Sequence, residues 1–244
     1  AELPQPGASA VGDVPAPDGK LQAFRVERTQ TMESELAAAH PEIATWSGRS
    51  VDDPRVSIAL DITPMGFHAF VREPGAQADW YVDPAYNRRG TTAHLSYRSS
   101  DLPAPEKRRV EGEVEALRDT VEQARAAERD PEEGKPVQRH FYRLALTSDP
   151  SYAAYFGTDN VLAEKVTLIN RVNQIYNADL ATELRLVNDT DKLNFDTQAD
   201  ATGANGPCGA APCFDVADPG DPSTPLDNLP GDLDFCSILT LSQN

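Results

Sequence analysis

The side chains that do chemistry near neutral pH are few here, and their spacing restricts them further. The four histidines stand at positions 40, 68, 94 and 140. No two are four apart, so none makes the i, i+4 pair with which one helix face grips zinc. His40 precedes Pro41 and reads as a helix end, and His68, inside Gly66-Phe67-His68-Ala69-Phe70, reads as a strand residue rather than a ligand. The sequence contains no G-x-S-x-G; Gly48-Arg49-Ser50-Val51-Asp52 imitates only its first half, which leaves a serine nucleophile without the sharp turn that would expose it. A phosphate-cradling glycine loop and a dinucleotide fingerprint are absent as well.

Cys208, Cys213 and Cys236 lie in a stretch with no Lys, Arg or His after Lys192. An acidic surrounding raises a thiol pKa, so a thiolate nucleophile is disfavoured. A disulfide between Cys208 and Cys213, closing a C-x4-C loop, outweighs metal ligation, and Cys236 is then unpaired within the chain. Asp196, Asp200, Asp215, Asp218, Asp221, Asp227, Asp232 and Asp234 crowd the same region. Oxygen-rich, uncompensated loops are what calcium takes, yet the spacing fits no EF-hand loop, so a solvated loop outweighs a calcium site. Paired carboxylates for glycoside hydrolysis have no specificity in so acidic a chain.

The charge balance narrows the partners. With 22 Lys+Arg against 39 Asp+Glu the net charge is -17 and the pI about 4.5. Phosphate backbones and anionic membranes need clustered cations, so nucleic acid is excluded as a first reading. No apolar run reaches the roughly 18 residues of a membrane span. Cysteines confined to an Asp/Pro/Gly-rich region suit an exported, extracellular protein.

A length of 244 residues allows one large or two modest domains. Residues 1-19, rich in Pro, Gly, Ala and Ser without apolar period, read as a flexible lead-in. Residues 20-102 predict an antiparallel α+β domain. Leu21-Val26 alternates like a strand, Met32-Ala39 carries helix formers that stop at Pro41, and strand-like runs follow at 43-46, 56-62, 66-71, 80-82 and 94-97. Residues 103-137 hold Val110, Val114, Leu117, Val121 and Ala124 at helical spacing on a charged background, which predicts a charged linker helix. From 138 the pattern changes again. Phe141-Leu146 reads as a strand, and Val161, Leu162, Val166, Leu168, Ile169, Val172, Ile175 and Tyr176 form an apolar stripe of period 3.6, capped by Thr158 or Asp159. Leu184-Val187 reads as the next strand, making a βαβ start; Asp196 to about Gly231 reads as one long acidic loop before a helix near 233-239.

Two blocks carry a family resemblance. Arg143-Leu144-Ala145-Leu146, Tyr152-Ala153-Ala154-Tyr155-Phe156-Gly157 and above all Asn170-Arg171-Val172-Asn173-Gln174-Ile175-Tyr176 resemble the opening of the catalytic domain of secreted bacterial reprolysin-like zinc metallopeptidases of the metzincin type. The upstream strings Met32-Glu33, His40-Pro41-Glu42-Ile43, Trp46-Ser47-Gly48, Asp61-Ile62-Thr63-Pro64 and Tyr81-Val82-Asp83-Pro84 resemble the pro-domain that precedes it. The resemblance implies an α+β pro-domain over 20-102, a linker over 103-137, and over 138-244 the first βαβ portion of a metzincin-like α/β domain. Asn170, Arg171, Asn173 and Tyr176 are the family-motif residues of structural type.

The resemblance also implies zinc, protein or peptide substrates, secretion and a zymogen. The family holds zinc with H-E-x-x-H-x-x-G-x-x-H, its Glu acting as general base. None of that string occurs in these residues, so no catalytic or metal residue is assigned. On this reading the remainder of the catalytic domain is a partner of this portion, and Cys236 pairs with a cysteine beyond Asn244, the alternative being a free thiol. Latency cannot use a pro-domain thiol on the metal, because no cysteine precedes Cys208. The alternative is a non-enzymatic extracellular module that binds a protein partner or calcium.

Overall fold

A computed structural model describes residues 3-4, 7-73, 79-103 and 138-202. Seven strands follow one another as an antiparallel meander: β1 (Ser9–Pro15), β2 (Leu21–Thr29), β3 (Ala44–Ser50), β4 (Ser57–Thr63), β5 (Gly66–Arg72), β6 (Trp80–Pro84) and β7 (His94–Arg98). Between β2 and β3 lies the short helix α1 (Ser34–Ala39). The order β1-β2-β3-β4-β5-β6-β7 follows from connections short enough that each strand pairs with the next. Residues 9-15, expected in a flexible lead-in, instead form β1, paired along its whole length from Ser9↔Glu27 to Pro15↔Leu21. Val14 is its one buried residue, so the ladder is held by backbone pairing that needs no apolar period.

Alternation sorts the sheet into two faces. Phe24, Val26, Trp46, Ile58, Leu60, Val71, Trp80 and Val82 point one way and make a core with Val14, Ala44, Val56 and Ala69. Two glycines shape this sheet. A Cβ at Gly48 would lie 2.1 Å from the Arg25 carbonyl oxygen, so only glycine lets β2 and β3 approach there. Gly66 closes the β4–β5 turn at φ 137°, a backbone region that side chains avoid.

The second part is a βαβ unit, as expected. Strands β8 (His140–Leu144) and β9 (Thr182–Leu186) pair in parallel from His140↔Thr182 to Leu144↔Leu186. Between them come α2 (Pro150–Phe156), a 3-10 turn and the long helix α3 (Val161–Leu180); α4 (Gln198–Thr202) follows. Thr158 and Asp159, the expected caps of α3, lie in the 3-10 turn before it, and at the start of α2 the Asp149 side chain accepts from the Tyr152 N–H. The α3 N-cap is Asn160, whose side chain makes no cap bond because it is engaged elsewhere, donating to the Phe156 carbonyl and accepting from Arg89. The acidic stretch is not wholly a loop, since Asp200 ties back to Thr197 and α4 forms at its beginning. The linker helix, the helix near 233-239 and all three cysteines lie outside the described residues.

The two parts share a core. Met32, Leu36, Ile43 and Met65 from the first pack with Leu162, Ala163, Val166, Ile169 and Leu186 from the second. At about 1.5–3 kcal/mol per buried side chain, the four from the first part alone contribute several kcal/mol. The edge of β9 is also filled from across the junction. Leu186 N–H donates to the Thr31 carbonyl and the Leu186 carbonyl accepts from Glu33 N–H, so residues 31-33 lie beside β9 in a parallel bridge at Met32. An open edge would leave those groups unpaired.

Candidate functional site: a polar seam between sheet and helix

The helix α3 is amphipathic in an unexpected sense. Leu168, Ile175 and Tyr176, members of the expected apolar stripe, are 45%, 37% and 38% exposed, whereas Thr167, Asn170, Asn173 and Gln174 are buried. The correction has a physical cause: α3 is clamped between two layers, so burial follows the position of those layers. Leu162, Val166 and Ile169 face the shared core, and Thr167, Asn170, Arg171 and Gln174, at i, i+3, i+4 and i+7, face the sheet.

Strands β4 and β5 supply what that polar face needs. Asp61 and His68 are direct cross-strand partners on the face opposite the sheet core. Both are buried, and His68 Nδ1 lies 2.9 Å from Asp61 Oδ1. Thr167 Oγ1 donates to the same Asp61 oxygen at 2.8 Å, and Asn170 Nδ2 donates to the Leu60 carbonyl at 3.0 Å and to Asp61 Oδ2 at 3.4 Å. The carboxylate thus accepts from both parts of the chain. Burial alone lowers an imidazole's pKa, but the hydrogen bond and charge of Asp61, with Glu164 and Asp83 beyond, hold His68 above the usual histidine value.

One helical turn on, Arg171 reaches β6. Its Nη2 donates to Asp83 Oδ1, Tyr97 donates to Asp83 Oδ2 at 2.6 Å, and the guanidinium lies 5.3 Å from the centroid of the Tyr81 ring. Tyr81 is stacked between Phe70 and Tyr97 at 4.8 and 5.5 Å. Gln174 Nε2 donates to Ser57 Oγ at 3.0 Å and completes the seam.

The family-motif residues therefore divide by face. Asn170 and Arg171 meet the sheet. Asn173 turns inward and satisfies both groups of one β9 residue, donating to the Leu184 carbonyl at 2.8 Å and accepting from the Leu184 N–H at 2.7 Å. Tyr176 is partly exposed and has no role in either contact.

Further contacts cross the junction. Asn188 Oδ1 accepts from Glu35 N–H and Leu36 N–H at 3.2 and 3.3 Å, so the first turn of α1, which has no cap of its own, is capped from the other part. Glu33 pairs with Arg143, Asn87 donates to the Tyr155 carbonyl at 2.6 Å, and Arg89 donates to Asn160 Oδ1 at 2.7 Å. Sequence reasoning named Asn170, Arg171 and Asn173 through the family motif but gave no role to Thr167, Gln174 or Asn188. The signal it could have used was the Thr/Asn/Arg/Gln run at helical spacing, a set unusual for a solvated face because it lacks Lys and Glu.

The chemistry of the seam is adhesive. The Thr167 hydroxyl points at the Asp61 carboxylate and not at the His68 ring, so the three do not form a nucleophile–base–orienter relay. His40 is bound between Glu42 and Asp191, and His94 Nε2 accepts from the Phe67 N–H. Among the described residues no three His, Cys, Asp or Glu side chains are grouped to hold a metal, so the described residues do not fit zinc or calcium. Of the acidic stretch, Asp196 lies near Lys165, and the residues beyond 202 fall outside the described part. No described helix is long and apolar enough to cross a membrane.

Comparison with known families gives one match. Residues 158–244 match the model of the family described as Metallo-peptidase family M12B Reprolysin-like. No curated protein and no solved structure matches the chain. The matched stretch opens on the 3-10 turn and α3, whose polar face the preceding sheet covers, and it supports a relationship of this chain to the reprolysin-like metallopeptidases.

Proposed function

We propose that this chain is the front portion of a secreted zinc metalloendopeptidase precursor. In this reading the N-terminal sheet is a pro-domain that serves as a folding template and cover for the first βαβ unit of the peptidase. The observation that carries it is the packing of buried Thr167, Asn170 and Gln174 and half-buried Arg171, on the helix that opens the family match, against β4, β5 and β6. A βαβ unit alone would leave that polar face, the β9 edge and half of the shared core exposed, and each is satisfied from the sheet side.

The family relationship supports zinc and peptide substrates in this reading, and secretion and latency belong to the proposal itself. The described residues do not hold the metal, so their part is to bind and orient. On this reading latency is steric, since the contacts across the junction among the described residues involve no thiol. The linker at 103-137, rich in Arg, is the expected place of processing.

The test is to express the complete reading frame, cut within 104-137, and assay zinc content and casein cleavage before and after residues 1-103 are removed. Zinc-dependent cleavage that appears on removal is the expected result. A product that neither binds zinc nor cleaves casein refutes the peptidase reading and leaves a protein-binding module.

A further inference from the structure

A cavity of about 300 Å³ opens beside the polar seam, where the two parts meet. Its charged lining is His68 and Asp83 from the sheet with Glu164 and Arg171 from α3; Tyr86, Tyr155 and Phe156 supply aromatic walls. Three of the four charges are committed, His68 to Asp61 and Asp83 to Arg171. Glu164 is not: the half-buried carboxylate has no hydrogen-bond or ion-pair partner among the described residues. Burial raises its carboxyl above the usual range, with His68 and Arg171 opposing only through space.

An unpartnered carboxylate in a partly desolvated site is unfavourable, and a cationic donor would relieve it. The walls suit such a donor. Tyr86 and Tyr155 are 63% and 72% exposed, and Tyr155 stands edge-on to Phe156 with ring centroids 4.7 Å apart. Aromatic faces attract ammonium groups and cover an alkyl stem; the cations Arg171 and His68 also line the cavity but are paired with Asp83 and Asp61, which leaves Glu164 as its uncompensated charge.

We propose that this cavity binds an alkylammonium group such as a lysine side chain, with the charge on Glu164 and the stem against Tyr86, Tyr155 and Phe156. The occupant touches both parts at once, so it binds the docked arrangement and stabilises it by mass action. This goes beyond the proposed function and does not depend on it.

The test uses the full chain with two probes, n-butylammonium and Nα-acetyl-lysine amide, and n-butanol as the uncharged control. Titration calorimetry and the tyrosine NMR signals are followed together. Saturable millimolar binding is expected, with butanol inert, a loss of at least about tenfold in Glu164→Gln and a several-fold loss in Tyr155→Ala. Both variants keep the fold intact, since one is isosteric and the other is at the surface. Binding of both probes assigns a lysine side chain, and binding of butylammonium alone assigns a free amine. The chain's other negative charges persist in Glu164→Gln, so equal affinity for that variant, or no saturation below about 10 mM, overturns the proposal.

Discussion

Replacing Asp61 by alanine removes one acceptor from three donors at once. His68, Thr167 and Asn170 would be left facing a small cavity, two of them on the helix and one on the sheet. Breaking a buried ionic pair by removing one partner costs about 3–5 kcal/mol, because the other charge stays desolvated. The stranded Thr167 hydroxyl adds to that, Asn170 keeps its bond to the Leu60 carbonyl, and repacking or water entry offsets part of the cost, so a loss of about 4 kcal/mol is expected. In a domain whose total stability is about 5–15 kcal/mol, this is a large fraction. With a urea slope of about 2–3 kcal/mol/M, the midpoint should fall by about 1.5 M. Two probes are available in the same sample. Trp46 and Trp80 lie in the core of the first part and report on the sheet, while far-UV circular dichroism reports chiefly on α3. The wild-type transitions should coincide, and in Asp61→Ala they should separate, with the helix signal lost first. A cycle with Thr167→Ala should give a coupling of about 1–3 kcal/mol between positions 106 apart in sequence. An Asp61→Ala protein that loses less than about 1 kcal/mol, with its two transitions still superimposed, would refute the idea that this carboxylate joins the two parts.

Other expectations follow from the same geometry. His68 is held above the ordinary value of 6.5, so its contribution is complete below that pH and is lost as pH rises through the folded value; Glu164, raised from 4.5, begins to cost stability as pH passes 4.5. Both make the docked state weaker from weakly acidic to alkaline pH, with Asp61, Asp83 and Arg171 facing the same pair, and urea midpoints measured from pH 5 to 8.5 should fall in wild type and flatten in the His68→Gln, Glu164→Gln double variant. Arg171→Lys should not restore what Arg171→Ala loses, about 1–3 kcal/mol by thermal unfolding, because an ammonium cannot both pair with Asp83 and lie flat on Tyr81. Leu36→Ala should cost about 2–5 kcal/mol and also speed hydrogen exchange of the Leu186 amide, which bonds to Thr31 across the junction; unchanged exchange there would mean the 31-33 strap is held independently of the shared core.

The strands and helices were largely legible because their signals are local. β2 through β7 appear where alternating apolar residues meet turn formers, and β8, α3 and β9 appear in the expected order. β1 was missed because Ser9-Ala10-Val11-Gly12-Asp13-Val14-Pro15 shows little apolar alternation, and its strand character comes from the β2 edge beside it. The face of α3 was misread for a related reason. Periodicity shows that a helix has sides but not how many layers it touches, and a helix wedged between two layers can bury Asn, Thr and Gln if both layers present partners.

The amino-acid sequence by itself determined the acidic balance, the α+β elements, the βαβ unit and the likeness to a reprolysin-like peptidase, all of which rest on composition or on short-range pattern. Only the tertiary structure decided that Asp61 and His68 meet Thr167 and Asn170, that Asn188 caps α1, and that residues 31-33 complete the edge of β9. These partners are separated by about a hundred residues or more along the chain. A buried polar group is satisfied by whatever the fold brings near it, and that choice leaves no periodic trace in the neighbouring residues.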